Sequence, residues 1–311
     1  MAQDLYEYST AVRELFEIAS ETAGKSMKKL LFEGTEDELK QTDNTQIAIT
    51  LANLAARIVL NEFGIHPSRS AGFSLGEYAG LVDAGVLAAE DAFTLVLHRG
   101  TIMERVSRTL DDESGPAGMR AAMGKDLPEI LDLLAEGQNS DPQIADAYPS
   151  LYNSPFQTVI GGRSAALAAA TETLKAGGVR RVITLKVSGP FHTPLMTPAR
   201  DEFSAVVADI PFGEPRHPVY SNVTGAAVSS GAEARKLCLD QLVNTVLWAT
   251  EERQILADGA QLVLEVGPGS VLEGLWGALG KADETWPVDR FRTAGTLPEI
   301  EAIAKELNHA D

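Results

Sequence analysis

Gly72-Phe73-Ser74-Leu75-Gly76-Glu77-Tyr78-Ala79-Gly80-Leu81 carries the strongest structural signal in the chain. Its first five residues have the G-x-S-x-G spacing of a nucleophile elbow, where a strand turns sharply into a helix and leaves a serine hydroxyl exposed at the corner. Glycines permit the turn, and the backbone N–H after the serine is free to act as an oxyanion donor. The flanks agree: Arg69-Ser70-Ala71-Gly72 reads as a short strand-like segment, and helix is expected from Leu75 onward. Three fixed positions also occur by chance, so the same residues fit a plain strand-to-helix turn with an N-capping serine.

Working upstream, Leu5, Tyr8, Val12, Leu15, Phe16 and Ala19 fall at three- and four-residue steps and predict an opening helix. A second helix is expected over about 45–63 on Ile47, Leu51, Leu54, Ala55 and Val59, stopped by Gly64 with Pro67 beyond it. Downstream of the elbow a third helix covers about 89–106. Between about 115 and 185 the texture changes to a strand (119–123), a helix (127–135), two strands (145–152 and 157–160), an alanine-rich helix (164–176) and a strand (182–187). That βαββαβ order is the ferredoxin-like arrangement. Strands at 219–223 and 262–266 and a closing helix at 298–307 then resume the alternation. The expected architecture is α/β: an α/β-hydrolase-like large domain with a parallel sheet (1–116 and 186–311) and an inserted ferredoxin-like small domain (117–185).

Composition sets the outer limits. The chain has 311 residues, 44 % hydrophobic and 23 % charged, the balance of a globular protein able to bury a sizeable core. Lys and Arg number 26 against 44 Asp and Glu, a formal net charge of −18, which disfavours nucleic acid and anionic membrane as partners. No apolar run approaches the ~18 residues of a membrane span. The acidic start Met1-Ala2-Gln3-Asp4-Leu5-Tyr6-Glu7 is unlike a signal peptide, and the single cysteine, Cys238, cannot form an internal disulfide. A cytoplasmic setting is expected, and no metal-ligand spacing is present.

A nucleophilic serine needs a base, and there are five histidines: His66, His98, His192, His217 and His309. His192, in Val187-Ser188-Gly189-Pro190-Phe191-His192-Thr193-Pro194-Leu195-Met196, follows a strand and is flanked by Gly and Pro, a setting suited to a general base and equally to an ordinary loop histidine. No Asp or Glu stands out as a third member, so a backbone carbonyl could orient the ring. Arg99, in an otherwise apolar helical stretch, is either a snorkelling or paired surface arginine or a bidentate clamp for a substrate carboxylate. In so acidic a protein an anionic acyl group would depend on such a local cation.

These segments together resemble a family. GFSLGEYAGL around Ser74, LHRG around Arg99, SGPFHTPLM around His192, QLVNTVLW (241–248) and EVGPGSVL (265–272) fall in the order and spacing of malonyl-CoA:acyl carrier protein transacylases, the acyltransferases of fatty acid and polyketide synthesis. LYNSPFQTVIGG (151–162) resembles the family's small-domain segment, and the likeness runs over about 1–275. The resemblance implies Ser74 as the nucleophile that accepts malonyl from malonyl-CoA and passes it to the phosphopantetheine thiol of acyl carrier protein, with no bound cofactor. It implies His192 as base held by the Gln241 main-chain carbonyl, the Leu75 N–H as oxyanion donor, and Arg99 on the malonyl carboxylate. Gln46 and Asn153 match polar positions near the family's site, and Phe191 matches the bulky residue of malonyl-selective members.

Two departures accompany the likeness. Phe73 stands where the family usually has histidine, and the chain as given starts at the helix that follows the family's first strand and Gly-Gln-Gly loop, whose glutamine supplies a second oxyanion donor. Two other readings therefore stand beside the transacylase: a serine hydrolase or esterase using the same elbow, and a weakened, non-catalytic relative that binds carrier protein. Lys175, Arg180, Arg181 and Lys186 are the candidate cations for docking an acidic carrier protein.

Overall fold

The computed structural model describes residues 1–40 and 42–309. The opening helix predicted from the apolar spacing is two helices, α1 (Gln3–Tyr8) and α2 (Thr10–Ala23), because Ser9 takes an extended backbone and its side chain caps α2 at the Val12 N–H. That break turns Tyr8 out of the apolar stripe, where it stacks on Phe63 at 5.7 Å. Two short helices follow, α3 (Met27–Glu33) and α4 (Glu36–Lys40). Helix α5 (Thr42–Glu62) buries the predicted Ile47, Leu51, Leu54, Ala55 and Val59. It ends as expected at Gly64, whose φ of 75° brings the Gly64 and Ile65 N–H groups back onto the last turn. Helix α6 (Gly76–Asp83) leaves the elbow, and α7 (Ala89–Arg108) packs across α2 and α5 through Phe93, Val96 and Met103.

The next segment matches the predicted order: β1 (Gly118–Met123), α8 (Leu127–Ser140), β2 (Ala147–Ser154), β3 (Gln157–Gly162), α9 (Ser164–Ala176) and β4 (Arg181–Thr184). The four strands form one antiparallel sheet in the order β2-β3-β1-β4. Helices α8 and α9 cover it through their own apolar cluster of Ile130, Leu134, Leu167, Ala170 and Leu174 with Ala122 and Ile160. Gly162 has no room for a side chain, since a Cβ there would lie 2.3 Å from the Asp146 carbonyl oxygen.

The remaining elements are α10 (Thr197–Ala208), α11 (Gly231–Asp240), α12 (Trp248–Ala257), β5 (Val263–Val266), α13 (Val271–Ala282), β6 (Phe291–Ala294) and α14 (Leu297–Asn308). Strands β5 and β6 pair in parallel. Among the described residues the other parallel contacts are isolated: Ser70 with Val219, and Leu151 with Val246. The stretch 219–223, expected as a full strand, pairs through Val219 and Tyr220 only, because the chain folds back at once so that Ser221 N–H bonds to Ala226 and Tyr220 faces Ala227. The whole is a mixed α/β fold. Among the described residues no helix is long and apolar enough to cross a membrane.

Two connections decide where chemistry can occur. The Ser70–Val219 bridge ends the elbow's strand-like segment directly before Gly72. The Leu151–Val246 bridge ties β2 to the turn that leads from α11 to α12. Met119, Leu151, Val159, Val246 and Trp248 form an apolar contact between the small sheet and the elbow, with Phe73 edge-on to Trp248 at 5.5 Å. Phe73, the departure from the resembled pattern, is thus part of this apolar seam.

Candidate active site

The elbow is a real corner. Ser74 has φ 49°, and His192 has φ 58°, the left-handed region that costs a non-glycine residue about 1–3 kcal/mol. The two predicted glycines are not equivalent. A Cβ on Gly72 would lie 2.0 Å from the Gly76 carbonyl carbon, whereas one on Gly76 would meet nothing within 4 Å. The close approach that needs glycine is therefore at Gly72. Among the described residues nothing accepts the Leu75 N–H, which sits at the start of α6 as a donor in waiting.

Ser74 Oγ lies 2.7 Å from His192 Nε2, and His192 Nδ1 lies 2.7 Å from the Gln241 carbonyl oxygen. That carbonyl can only accept, so Nδ1 carries the proton and Nε2 is the free base facing the serine. Burial, and then the neighbouring Arg99 charge, push the His192 pKa down to about 3, so the ring is neutral and ready to take a proton. The serine, the histidine and the carbonyl come from the elbow, the loop before α10 and the end of α11.

Arg99 is 2 % exposed on the buried face of α7. Its guanidinium donates to Gln46 Oε1 at 2.9 Å, Gln241 Oε1 at 3.1 Å and Ser74 Oγ at 3.2 Å, and its carbon sits 5.6 Å from the centre of the Tyr78 ring. Its Nε–H has no partner among the described residues, and no carboxylate there pairs with it. A buried guanidinium held by amides is a site with spare capacity for an anion. Gln46 and Phe191 also line a cleft of about 1080 Å³ that runs between α7 and the small sheet, past Arg105, Met119 and Lys186. The cleft reaches the site through Gln46, which holds Arg99, and Phe191, which precedes His192.

The structure brings together Ser74, Leu75, His192, Arg99, Gln46 and Gln241, with Phe191 beside them. Asn153 is different: it is buried in β2 with its Oδ1 unpartnered, and among the described residues no hydrogen bond joins it to Ser74, His192 or Arg99. Sequence reasoning missed a polar layer behind the serine. Glu77, Asn222 and Glu251 are each 0–3 % exposed and linked by hydrogen bonds. Gln241 was expected through its backbone alone, yet its side chain also donates to the Ser74 carbonyl at 3.0 Å and to Glu77 Oε2 at 2.8 Å. The available signal was placement: Asn222 lies in an apolar strand-like run, and Glu251 shares a helix face with Trp248 and Ile255.

Comparison with known proteins gives the same picture. Residues 1–297 match the model of the acyl transferase domain family. The malonyl CoA-acyl carrier protein transacylase of Bacillus subtilis is 36 % identical over 281 residues, 88 % of this chain and 84 % of that protein. A crystal structure of the transacylase from Streptococcus pneumoniae superposes with a TM-score of 0.88 at 31 % identity, covering 98 % of this chain and 95 % of that one. A malonyl-transacylase solved in complex with its type II PKS acyl-carrier protein reaches 0.86 at 32 % identity over 98 % and 94 %. With its serine corner, neutral histidine and buried arginine, the chain belongs to the acyl transferase domain family, among the malonyl-CoA:acyl carrier protein transacylases.

Proposed function

We propose that the chain transfers malonyl from malonyl-CoA to the phosphopantetheine thiol of acyl carrier protein through an acyl-enzyme on Ser74, serving fatty acid biosynthesis. The observation that carries this is Arg99: a buried, always-charged guanidinium with an unpartnered N–H, 3.2 Å from the nucleophile's oxygen. An acyl group bearing a free carboxylate satisfies it. An acetyl group would leave it unpaired, at a loss of about 1–3 kcal/mol.

The steps follow from the distances. Ser74 Oγ attacks the thioester carbonyl while His192 Nε2 takes the hydroxyl proton. The developing oxyanion is met by the Leu75 N–H at the start of α6. His192 then protonates the departing thiolate of coenzyme A, and the malonyl group stays on Ser74 as an ester. In the second half the carrier protein's thiol gives its proton to His192, attacks the ester, and the proton returns to Ser74. Malonyl-CoA is a substrate, and neither half requires a bound cofactor. Gln46 and Gln241 hold Arg99 between turnovers, and Phe191 closes the apolar side of the acyl pocket.

The finer architecture belongs to this reading. Residues 117–185 form an inserted ferredoxin-like small domain, supported by the strand order and the separate apolar cluster. Residues 1–116 and 186–311 form an α/β-hydrolase-like catalytic domain, with the active cleft between the two. Carrier protein docks at the mouth of that cleft, where Lys186 lines the wall and Arg181 is exposed on β4. Lys175 is engaged with Glu172 and contributes less. A reducing, cytoplasmic setting fits the lone buried thiol of Cys238. A hydrolase of the triad type would place a carboxylate at His192 Nδ1, where this chain has a carbonyl.

Radiolabelled malonyl-CoA is expected to leave acid-stable label on the chain, released by carrier-protein thiol, with none on Ser74→Ala. Label that persists in Ser74→Ala would remove the assignment.

A further inference from the structure

The elbow's backbone is held in an unusual way. Strand pairing stops at Ser70, whose N–H donates to Pro218 and whose carbonyl accepts from Tyr220, each at 2.9 Å. One step further the chain has turned, and the peptide groups of Gly72 and Ser74 have no strand to pair with. Asn222, carried beyond the same bridge on the facing segment, supplies the missing peptide from its side chain. Its Oδ1 accepts the Ser74 N–H at 2.6 Å, and its Nδ2 donates to the Gly72 carbonyl at 2.8 Å. The Ser74 carbonyl is taken by Gln241 Nε2 at 3.0 Å.

The clamp is itself anchored. Asn222 is fully buried, its second Nδ2 hydrogen goes to Glu251 Oε1 at 2.8 Å, and its own N–H goes to Glu77 Oε2 at 3.1 Å. Glu77 also accepts from Gln241. Burial pushes the Glu77 carboxyl up to about 7, so it is about half protonated at neutral pH and neutral below, and it pushes Glu251 well above the ordinary range; in either form their oxygens accept from the clamp. Among the described residues, the charged and titratable groups around this layer are Arg99 on α7, Glu77 and Tyr78 on α6, Cys238 on α11, Glu251 and Glu252 on α12, and His192.

We propose that Asn222 is a positioning residue of the transfer reaction: its amide holds the strained Ser74 corner so that the hydroxyl meets His192 and the Leu75 N–H faces the acyl oxygen. This rests on the transacylase reading above. It predicts a defect in acylation rate with donor binding intact, because Arg99 has its own supports in Gln46 and Gln241.

The test compares wild type, Asn222→Leu and Asn222→Asp for acyl-enzyme formation with malonyl-CoA and for reaction of Ser74 with a fluorophosphonate ester, which needs no carboxylate-binding arginine. Asn222→Leu is expected to lose about 10²-fold in the acylation rate with KM for malonyl-CoA changed less than about threefold. Asn222→Asp adds a pH signature. Protonated, its carboxylic acid keeps one acceptor and one donor, so activity relative to wild type at the same pH recovers as pH falls from 8 to 5 and is lost as pH rises, a ratio in which the Glu77 titration common to both cancels. If Asn222→Leu does not fold, the pH profile of Asn222→Asp decides. Acylation within threefold of wild type in a folded Asn222→Leu, a loss confined to KM, or a wild-type pH profile in Asn222→Asp overturns the proposal. If wild type reacts with the fluorophosphonate and not with malonyl-CoA, the transacylase reading fails, and the fluorophosphonate rates alone score the clamp.

Discussion

Four residues apart, Ser70 and Ser74 each meet an imidazole at hydrogen-bond distance, yet only one of them is built as a nucleophile. Ser70 Oγ lies 2.8 Å from His217 Nε2, nearly matching the 2.7 Å between Ser74 and His192. Everything around the two pairs differs. Ser70 donates its hydroxyl hydrogen to Asp83, and Asp83 also lies 3.3 Å from the same His217 nitrogen and pairs with Arg57. The hydroxyl proton therefore goes to a carboxylate, and the imidazole edge facing Ser70 serves as a donor. Ser70 also spends its backbone N–H in the bridge to the 218–220 segment. Ser74 keeps its base on the far side of a ring oriented by a carbonyl, sits at a positive φ, and is followed by an N–H that is unclaimed among the described residues. Proximity of serine and histidine is not the active feature; the partner on the second ring nitrogen and the state of the backbone are.

The largest separation of the two pairs is expected from the histidines. His192→Ala removes the proton acceptor and should lower acylation by malonyl-CoA about 10²–10⁴-fold. His217→Ala should leave the rate within about threefold, since it touches neither the oxyanion donor nor Arg99. Single-turnover labelling of Ser74 measures both, and a comparable loss in the two variants would erase the distinction.

The arginines extend the comparison. Arg57 is matched by Asp83, whereas Arg99 is matched by amides and one hydroxyl. Arg99→Ala should lower acylation from malonyl-CoA about 10²-fold, the scale of one or two charge-assisted hydrogen bonds, and acylation from acetyl-CoA less than about tenfold. Arg57→Ala should not change the malonyl-to-acetyl ratio. Equal losses with both donors in Arg99→Ala would mean that the guanidinium serves the serine and not the substrate.

How far the sequence alone reached follows the same line. The elbow, Arg99 and His192 were legible because each stands in a short local pattern: glycine spacing, a cation on an apolar helix, a histidine between Gly-Pro and Thr-Pro. The small sheet was legible because strand and helix periods alternate cleanly from 118 to 184. Asn222, Glu77 and Glu251 were not, because their role depends on pairing across 29 to 145 residues of sequence, which no local period encodes. The division of the opening helix at Ser9 was hidden for the opposite reason: one capping hydroxyl outweighs an apolar spacing that continues through it. Ser70 and His217 carry the same residue types as the candidate site, and only their partners disclose that they are structural.

pH sharpens the contrast further. With the His192 pKa depressed to about 3, the base stays deprotonated down the acidic range. The sign is that of a base whose charged form is disfavoured: activity is kept as pH falls through 6.5 and lost only near the lower value. A base with an ordinary pKa of 6.5 would lose about thirtyfold in its neutral fraction at pH 5. The acylation rate is therefore expected to change less than about threefold between pH 7 and pH 5, read over seconds before any slow loss of fold. A thirtyfold fall across that interval would show that the ring is solvated and that the buried geometry does not hold during turnover.

The smallest effect falls on the other serine. Ser70→Ala deletes one hydroxyl from a cluster in which Asp83 keeps both Arg57 and His217. The expected cost is the net worth of one partly buried hydrogen bond to a charged group, about 1–2 kcal/mol, seen as a lower urea midpoint with an unchanged slope. The backbone bridge from Ser70 to Val219 survives the substitution because it uses no side-chain atom. Gly72 and Ser74 should then keep their clamp on Asn222, and labelling by malonyl-CoA should stay within about twofold. A stability loss alone places the Ser70 cluster as the fastening of the strand on which the elbow is built. A loss of labelling beyond tenfold in a folded Ser70→Ala would instead mean that strain at the corner is transmitted from the bridge, and that the two pairs form one device.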